Sequence, residues 1–422
     1  MASRPSPAIS PRFRAVRTAS LALFLLTSLN LFNFIDRYVL PGVQPLIQRE
    51  FHIDLAQAGT LTSAFFFTYM LIAPLTGWMG DRFPRKPLII AGALLWSAAT
   101  LSTALVHSYT TLLIRHAVVG IGEATFSIFA PAMLADFYPE EERNRVLTIF
   151  YLTIPVGGAL GYILGGVLGQ QYGWRAPFYI AAAPGVLIAL TFWLFVREPE
   201  RGAADTLTAT HSRASFFGLF SNPAYWTATL GMAMWTFAVG GISAFLPTFF
   251  RDVAHFSLAH ADLTTGEITA VDGLVATIVG GWIAQLWLKR NHRALYYVSA
   301  WSAILAIPFG VLVFFGPMCW LVPGAWLAEF CLFLNTGPLN TAIVNSVSAP
   351  IRATAISVNL FVIHLLGDFP SPHLIGWVGD RHGLRVGLGV TLVSLALSGL
   401  VLLAGARFAP RLPDLEIARG EH

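Results

Sequence analysis

Asp36 and Arg37 stand side by side in an apolar run that begins near Ala19 and continues past Leu40, with Asn30 and Asn33 just before them. Ionisable side chains cost several kcal/mol inside a bilayer and face either a partner or a wet cavity. An acid beside a guanidinium at one depth offers two kinds of chemistry. The carboxyl can take and release a proton as its surroundings dry and wet, and the guanidinium can hold an anionic group such as phosphate through two hydrogen bonds. Arg115 and Glu123 form a second set, with Gly120 and Gly122 between them. Eight residues predict a shared helix face about two turns apart, and the glycines allow another helix to approach closely. A third set is His364 and Asp368, spaced to meet on one helix face. Pro370 and Pro372 follow, predicting a helix break that frees backbone carbonyls. Asp272, expected only a turn or two inside its helix, and Glu329 are further embedded acids.

These groups must be carried by membrane helices. The chain has 422 residues, of which 55% are hydrophobic and 11% charged, with mean hydropathy +0.65, where a soluble chain carries about 25% charged residues. Apolar stretches of roughly 20 residues suffice to span. They lie near 19–45, 56–79, 87–106, 111–135, 146–169, 176–196, 222–250, 266–288, 294–316, 319–345, 353–378 and 385–406. The reading is an all-α polytopic membrane protein of twelve spans in two six-helix bundles. A tail 1–18 precedes the first bundle 19–196; a polar linker 197–221 leads to the second bundle 222–406 and a tail 407–422. The connections alternate between sides, and 19 of the 26 basic residues fall on the side of both tails against 5 on the other, with Arg37 and Arg115 inside spans. The positive-inside rule puts both termini in the cytoplasm, and this charge needs no nucleic acid to explain it. No small-residue cleavage site follows the N-terminal arginines, so no removed signal peptide is expected. Cys319 and Cys331 lack metal spacing, and no nucleotide loop, His/Cys cluster or Ser–His nucleophile pattern points to an enzyme.

A short motif repeats. Gly77-Trp-Met-Gly80-Asp81-Arg82-Phe-Pro-Arg85-Lys86 closes the second span; Gly376-Trp-Val-Gly379-Asp380-Arg381 closes the eleventh. Weaker copies are Gly281-Trp-Ile-Ala-Gln285 after the eighth and Gly166-Val-Leu-Gly169-Gln170 after the fifth. Equivalent positions in four three-helix units, inverted within each half, match the repeat architecture of secondary transporters. The fifth span is glycine-rich, with Gly157, Gly161, Gly165 and Gly169 spaced for close helix contact.

The chain resembles the spinster-like family of the major facilitator superfamily, as a bacterial-type member. The resemblance rests on Asn33-Phe-Ile-Asp36-Arg37-Tyr38, Gly80 to Lys86, and Gly120-Ile-Gly122-Glu123-Ala124 with Ala130-Pro131. It also covers Phe150-Tyr151 with Ile154-Pro155 and Gly161-Tyr162, and His364-Leu-Leu-Gly367-Asp368 with Ser371-Pro372. It implies transport of amphipathic lipids such as lysophospholipids or sphingoid phosphates; a drug/proton antiporter or small organic-anion carrier of the same fold is the alternative. On that footing Asp36 and Glu123 are expected to handle the proton. Arg37, Asn33, Arg115, Tyr151, Phe126 and Trp235 are expected at the substrate, within aromatic walls that include Phe65, Phe66, Phe129, Phe237 and Phe245. Gly77, Gly80, Asp81, Arg82, Arg85, Lys86, Gly161, His364 and Asp368 are expected to act in gating. The proton gradient would drive transport without cofactor or metal. The partners expected are a lipid or lipid-like anion, protons and the bilayer, around a monomer in a bacterial inner membrane.

Overall fold

The computed structural model describes residues 11–138, 140–200, 217–347 and 351–410. The ends of both tails and most of the linker, residues 201–216, therefore lie outside the described residues. Eleven helical segments are long and apolar enough to cross a membrane. The first half runs α1 (Pro11–Phe51), α2 (Leu55–Arg82), α3 (Arg85–Thr103), α4 (Tyr109–Phe137), α5 (Glu140–Tyr151), α6 (Thr153–Tyr172) and α7 (Arg175–Phe195). A short α8 (Phe217–Phe220) leads to the second half: α9 (Pro223–Ala254), α10 (Leu258–Leu288), α11 (Ala294–Phe315), α12 (Leu321–Phe333), α13 (Thr336–Asn345), α14 (Arg352–Ile363), α15 (Pro370–His382) and α16 (Leu384–Gly405). α5 and α6 together make the fifth span and α12 and α13 the tenth. The eleventh is α14 and α15 joined through a π-turn at His364–Asp368, which brings the total to the twelve read from the sequence.

Short polar side chains set the starts of several spans by satisfying orphan helix donors. Asp54 Oδ1 accepts from Gln57 N at 2.7 Å while the Gln57 side chain accepts from Asp54 N at 3.1 Å, a reciprocal cap on α2. Ser108, Asn222 and Ser257 cap α4, α9 and α10. Gly173 and Gly383 end α6 and α15 at φ +84° and +86°, where a side chain would be strained.

Lipid is as apolar as leucine, so small residues and polar contacts hold membrane helices together. Gly157, Gly161 and Gly165 lay one ridge of α6 on α1; a Cβ at Gly161 would sit 2.5 Å from the Ile35 carbonyl oxygen. Hydroxyls add hydrogen bonds worth about 1 kcal/mol each. Thr68 donates to the Ala117 carbonyl at 2.6 Å, Ser398 to Gly231 at 2.8 Å and Tyr225 to Ala355 at 2.7 Å.

The principal contacts between the halves are α2 with α15 and α6 with α10. Asp380 of α15 accepts from the backbone N–H groups of Leu55 and Ala56 at 2.9 Å each, capping α2 from the other half. Gln170 of α6 does the same for α10, accepting from Ala259 N at 2.9 Å. The fifth residues of the two outward-facing motif copies thus make equivalent bonds across the pseudo-symmetric seam. Both lie on the side opposite the chain ends, here the far side. Toward the terminal side, α5 packs principally on α1, α4 and α6, and α13 on α9, α10, α11 and α14. Among the described residues these two helices pack within their own halves, while α14 and the π-turn still meet α2, so the contacts that join the halves concentrate at the far side and the middle.

Candidate functional site

α1 brings Asp36 and Arg37 against two different helices, because consecutive residues point about 100° apart. Arg37 reaches α4, where Nη2 and Nε donate to Glu123 Oε2 at 2.7 and 3.0 Å. Asp36 reaches α3, where Thr100 donates to it in a short hydrogen bond. Glu123 is 0% exposed, whereas the Arg37 side chain remains 18% exposed. The guanidinium lies 4.7 Å from the Phe34 ring centre, 4.9 Å from Phe65 and 5.5 Å from Tyr69. Glu123 Oε1 and the Asn33 amide are buried without a hydrogen bond of normal geometry, although Asn33 interacts with the Glu123 carboxylate. The result is one paired cation, one buried acid committed to it, and a second buried acid beside them.

The second half contributes His364 and Asp368. Pro370 has no N–H to return to the preceding turn, so the chain widens there: Phe369 N bonds the His364 carbonyl, five residues back, at 3.0 Å. Pro370 then occupies the first turn of α15, where its missing donor costs nothing. Within this π-turn His364 Nδ1 and Asp368 Oδ2 are 2.8 Å apart. The turn is pressed against α9, since a Cβ at Gly240 would lie 2.6 Å from Asp368 Oδ1. On its other side the His364 ring stacks on Phe66 at 5.6 Å and meets Tyr69 edge-on at 5.3 Å. Tyr69 therefore stands between the Arg37–Glu123 ion pair and the His364–Asp368 contact, with its ring near Arg37 and His364.

Twelve spans in two six-helix units, with acid–base groups on the first, fourth and eleventh, set the frame for comparison with known proteins. The Major Facilitator Superfamily profile matches residues 26–372. A sphingosine-1-phosphate transporter, SPNS2 of Danio rerio, is 32% identical over 400 residues, covering 89% of this chain and 79% of its own. Protein spinster homolog 1 of Homo sapiens is 32% identical over 393 residues, covering 86% and 73%. The chain is a spinster-like member of the Major Facilitator Superfamily. Members of this superfamily are membrane transporters. Among solved structures, a bacterial homolog to the human lysosomal transporter Spinster matches the fold in its inward-facing, unoccupied conformation. Its TM-score is 0.85 at 24% identity, with 96% of this chain and 100% of that one covered. The occupied form of that homolog gives 0.82, covering 93% and 98%.

The spinster-like fold unites some of the sequence-predicted residues and separates others. Asn33, Asp36, Arg37 and Glu123 come together as described. Arg115 does not join them: it is exposed near the far end of α4. Eight residues overshoot two turns by about 80°, whereas seven fall within about 20° of them. The residue that shares the Glu123 face is thus His116, buried against Phe65 at 5.6 Å. Phe126 is not at a cavity wall but fully buried between Trp96 and Phe150, at 5.2 and 6.3 Å. Phe65 and Phe129 are buried in the core of the first half, and Phe237 and Phe245 in a core of the second. Trp235 is tied within the second half, its Nε1 donating to the Leu332 carbonyl at 2.9 Å. Tyr151, 47% exposed, stands at the junction of α5 and α6.

The motif after the second span works inside the first half. Arg85 pairs with Asp136 and donates to the Ala132 carbonyl at 3.1 Å, its backbone N–H reaches Glu198, and Lys86 donates to the Trp193 carbonyl at 2.8 Å. Arg82 folds back over Trp78 at 4.4 Å. Gly77, Gly80 and Asp81 belong to α2, but their surroundings lie outside the described residues. The proline break expected in the eleventh span is the π-turn instead, which keeps the helix continuous. Asp272 is not near a helix end, since α10 begins at Leu258; it is buried well inside the span. Thr100 and Tyr69 were not legible as site residues. Both look like ordinary span residues, and only the helix packing brings them to Asp36 and Arg37.

Proposed function

We propose that this chain is a proton-coupled, alternating-access transporter of amphipathic lipid-like anions, with lysophospholipids and sphingoid phosphates as the leading substrate class. The observation that carries the reading is the Arg37–Glu123 pair. Both bonds of the guanidinium end on Glu123 Oε2, and Nη1 makes no hydrogen bond among the described residues. An anionic headgroup competes with Glu123 for Arg37. A proton on Glu123 removes the competing charge, so proton and anion favour each other's binding at this site. Asp36, a second buried acid one residue away, holds the alternate place for the proton. Tyr69 and the His364–Asp368 pair carry the state of this site to the second half.

The helix-capping bonds that join the halves at the far side fit one of the two end states of alternating access. The positive-inside distribution makes the terminal side cytoplasmic, so the state is inward-facing in a bacterial inner membrane. The lipid-phosphate substrate named for the Danio rerio relative supports the headgroup chemistry. The test is a panel of a lysophospholipid, a sphingoid phosphate and a small organic anion, offered to proteoliposomes under an imposed pH gradient. Gradient-dependent movement of the lipid anions, lost in Glu123→Gln and Asp36→Asn, is the expected result. Movement of all three without regard to the gradient would overturn the reading.

A further inference from the structure

The two sides of the far-side seam are built alike and differ at one position. α2 starts from its cap Asp54 and α10 from its cap Ser257. Five residues after the cap stand Gly59 in α2 and Asp262 in α10. At Gly59 the seam closes backbone on backbone: a Cβ there would lie 2.1 Å from the Pro372 carbonyl oxygen of α15. At Asp262 a carboxyl is inserted instead, into a slot made by two glycines. A Cβ on Gly166 of α6 would lie 2.6 Å from Asp262 Oδ2, and one on Gly42 of α1 would lie 3.1 Å from Oδ1. The side chain is 0% exposed, and neither oxygen has a hydrogen-bond partner.

Among the described residues no basic side chain pairs with it. From α1 the polar neighbour along the helix is Gln44, uncharged and itself buried without a partner, while Glu50 further on is held by Arg175. From α6 the titratable group is Tyr162, whose hydroxyl is committed to the Ser243 carbonyl at 2.6 Å; Gln170 is committed to Ala259. From α9 comes Ser243, and Arg251 near the end of that helix is bonded to Asp252. On α10 itself His260 and Glu267 are exposed. An ionised carboxylate sealed without partners is strongly disfavoured, whereas the protonated acid is far cheaper to bury. The equivalent contact at Gly59 shows that the seam closes without any acid, so packing does not require one here.

We infer that Asp262 is a proton-binding site of the far-side gate, separate from the Asp36–Glu123 pair: α6 and α10 seal only over the neutral acid. The inference rests on the alternating-access reading above. The slot lies in the seam and opens with it, so the proton enters from the far side and returns there. Asp262 therefore sets the pH at which the gate closes and does not carry a transported proton.

The test places nitroxide labels at residue 107 (His107→Cys), in the far-side loop of the first half, and at the native Cys319 in that of the second. Both positions are exposed, and Cys331→Ser removes the other thiol. Distances are read by double electron–electron resonance in lipid nanodiscs from acidic to alkaline pH. The wild-type seam is expected to open as pH rises, with growth of the longer distance, while Asp262→Asn stays closed throughout. Asp262→Ala serves in its place if the asparagine variant misfolds, with the same expectation. A variant that opens along the wild-type curve, or a wild-type seam that ignores pH, overturns the proposal. The Asp36→Asn/Glu123→Gln double variant separates the two readings. It should keep the wild-type distance response even where gradient-driven transport is lost; if it transports normally, the central coupling fails while the gate stands. A flat distance response in that double variant overturns the Asp262 gate.

Discussion

The ring of Tyr69 in the first half meets the ring of His364 in the second at 5.3 Å, and the same tyrosine lies 5.5 Å from the Arg37 guanidinium carbon. One side chain therefore links the Arg37–Glu123 pair to the His364–Asp368 pair across the interface between the halves.

Tyr69→Phe keeps the ring in both contacts and should transport nearly as well as the wild type. Tyr69→Ala loses an aromatic contact of about 0.5–1.5 kcal/mol and a cation–π contact of about 0.5–2 kcal/mol, enough for roughly a tenfold fall in transport rate. Initial-rate transport by the two purified variants in the same vesicles decides this; equal rates for the two would remove Tyr69 from the link.

Arg37→Ala removes the guanidinium expected to meet a headgroup, and the geometry gives it a cost in stability as well. Glu123 is fully buried and Arg37 is its charged partner. Removing one member of a buried pair costs about 3–5 kcal/mol. Arg37→Ala should therefore melt well below the wild type, and Arg37→Ala/Glu123→Gln should recover most of the loss without recovering lipid binding. Thermal unfolding in detergent, with and without lysophospholipid, measures both parts.

At the far-side seam, Asp380→Ala removes both acceptors that cap α2 from the other half. A lost cap costs about 1 kcal/mol, which shifts the balance toward the far-side-open state about fivefold. Gly59→Ala should act more strongly, because its Cβ would meet a backbone carbonyl at 2.1 Å. The same nitroxide pair used for Asp262 reports the open fraction, and unchanged distances in both variants would show that the seam is not held here.

Arg85→Ala removes contacts that lie wholly within the first half, to Asp136 and the Ala132 carbonyl. The expected effect is a loss of stability of about 1–3 kcal/mol with the open and closed fractions unchanged. A change in the distance distribution instead would make this turn a gate between the halves.

Most of the architecture was readable because membrane spans announce themselves by length and composition, and because the glycine motif repeats at equivalent positions. That repeat set Gln170 and Asp380 at equivalent positions, and the structure adds that each caps a helix of the other half. Asn33, Asp36, Arg37 and Glu123 were readable because charge inside a span is rare. What failed was angular and contextual. Arg115 lies off the Glu123 face by a fraction of a turn, and Phe126 is aromatic core indistinguishable by type from a cavity wall. Asp262 lay just outside the span drawn at 266–288, so its burial was invisible until α10 was seen to begin at Leu258. Tyr69 looks in the sequence like any aromatic of its span, since what sets it apart is a contact with a residue in the other half.

The central claim is that proton and lipid anion share the Arg37–Glu123 site. It is tested most directly by proton movement in proteoliposomes that enclose a pH-sensitive dye, started by adding a lysophospholipid or sphingoid phosphate. The account predicts a substrate-dependent pH change with the wild type and none with Glu123→Gln/Asp36→Asn, although the variant remains folded. A pH change of wild-type size with that variant would contradict it.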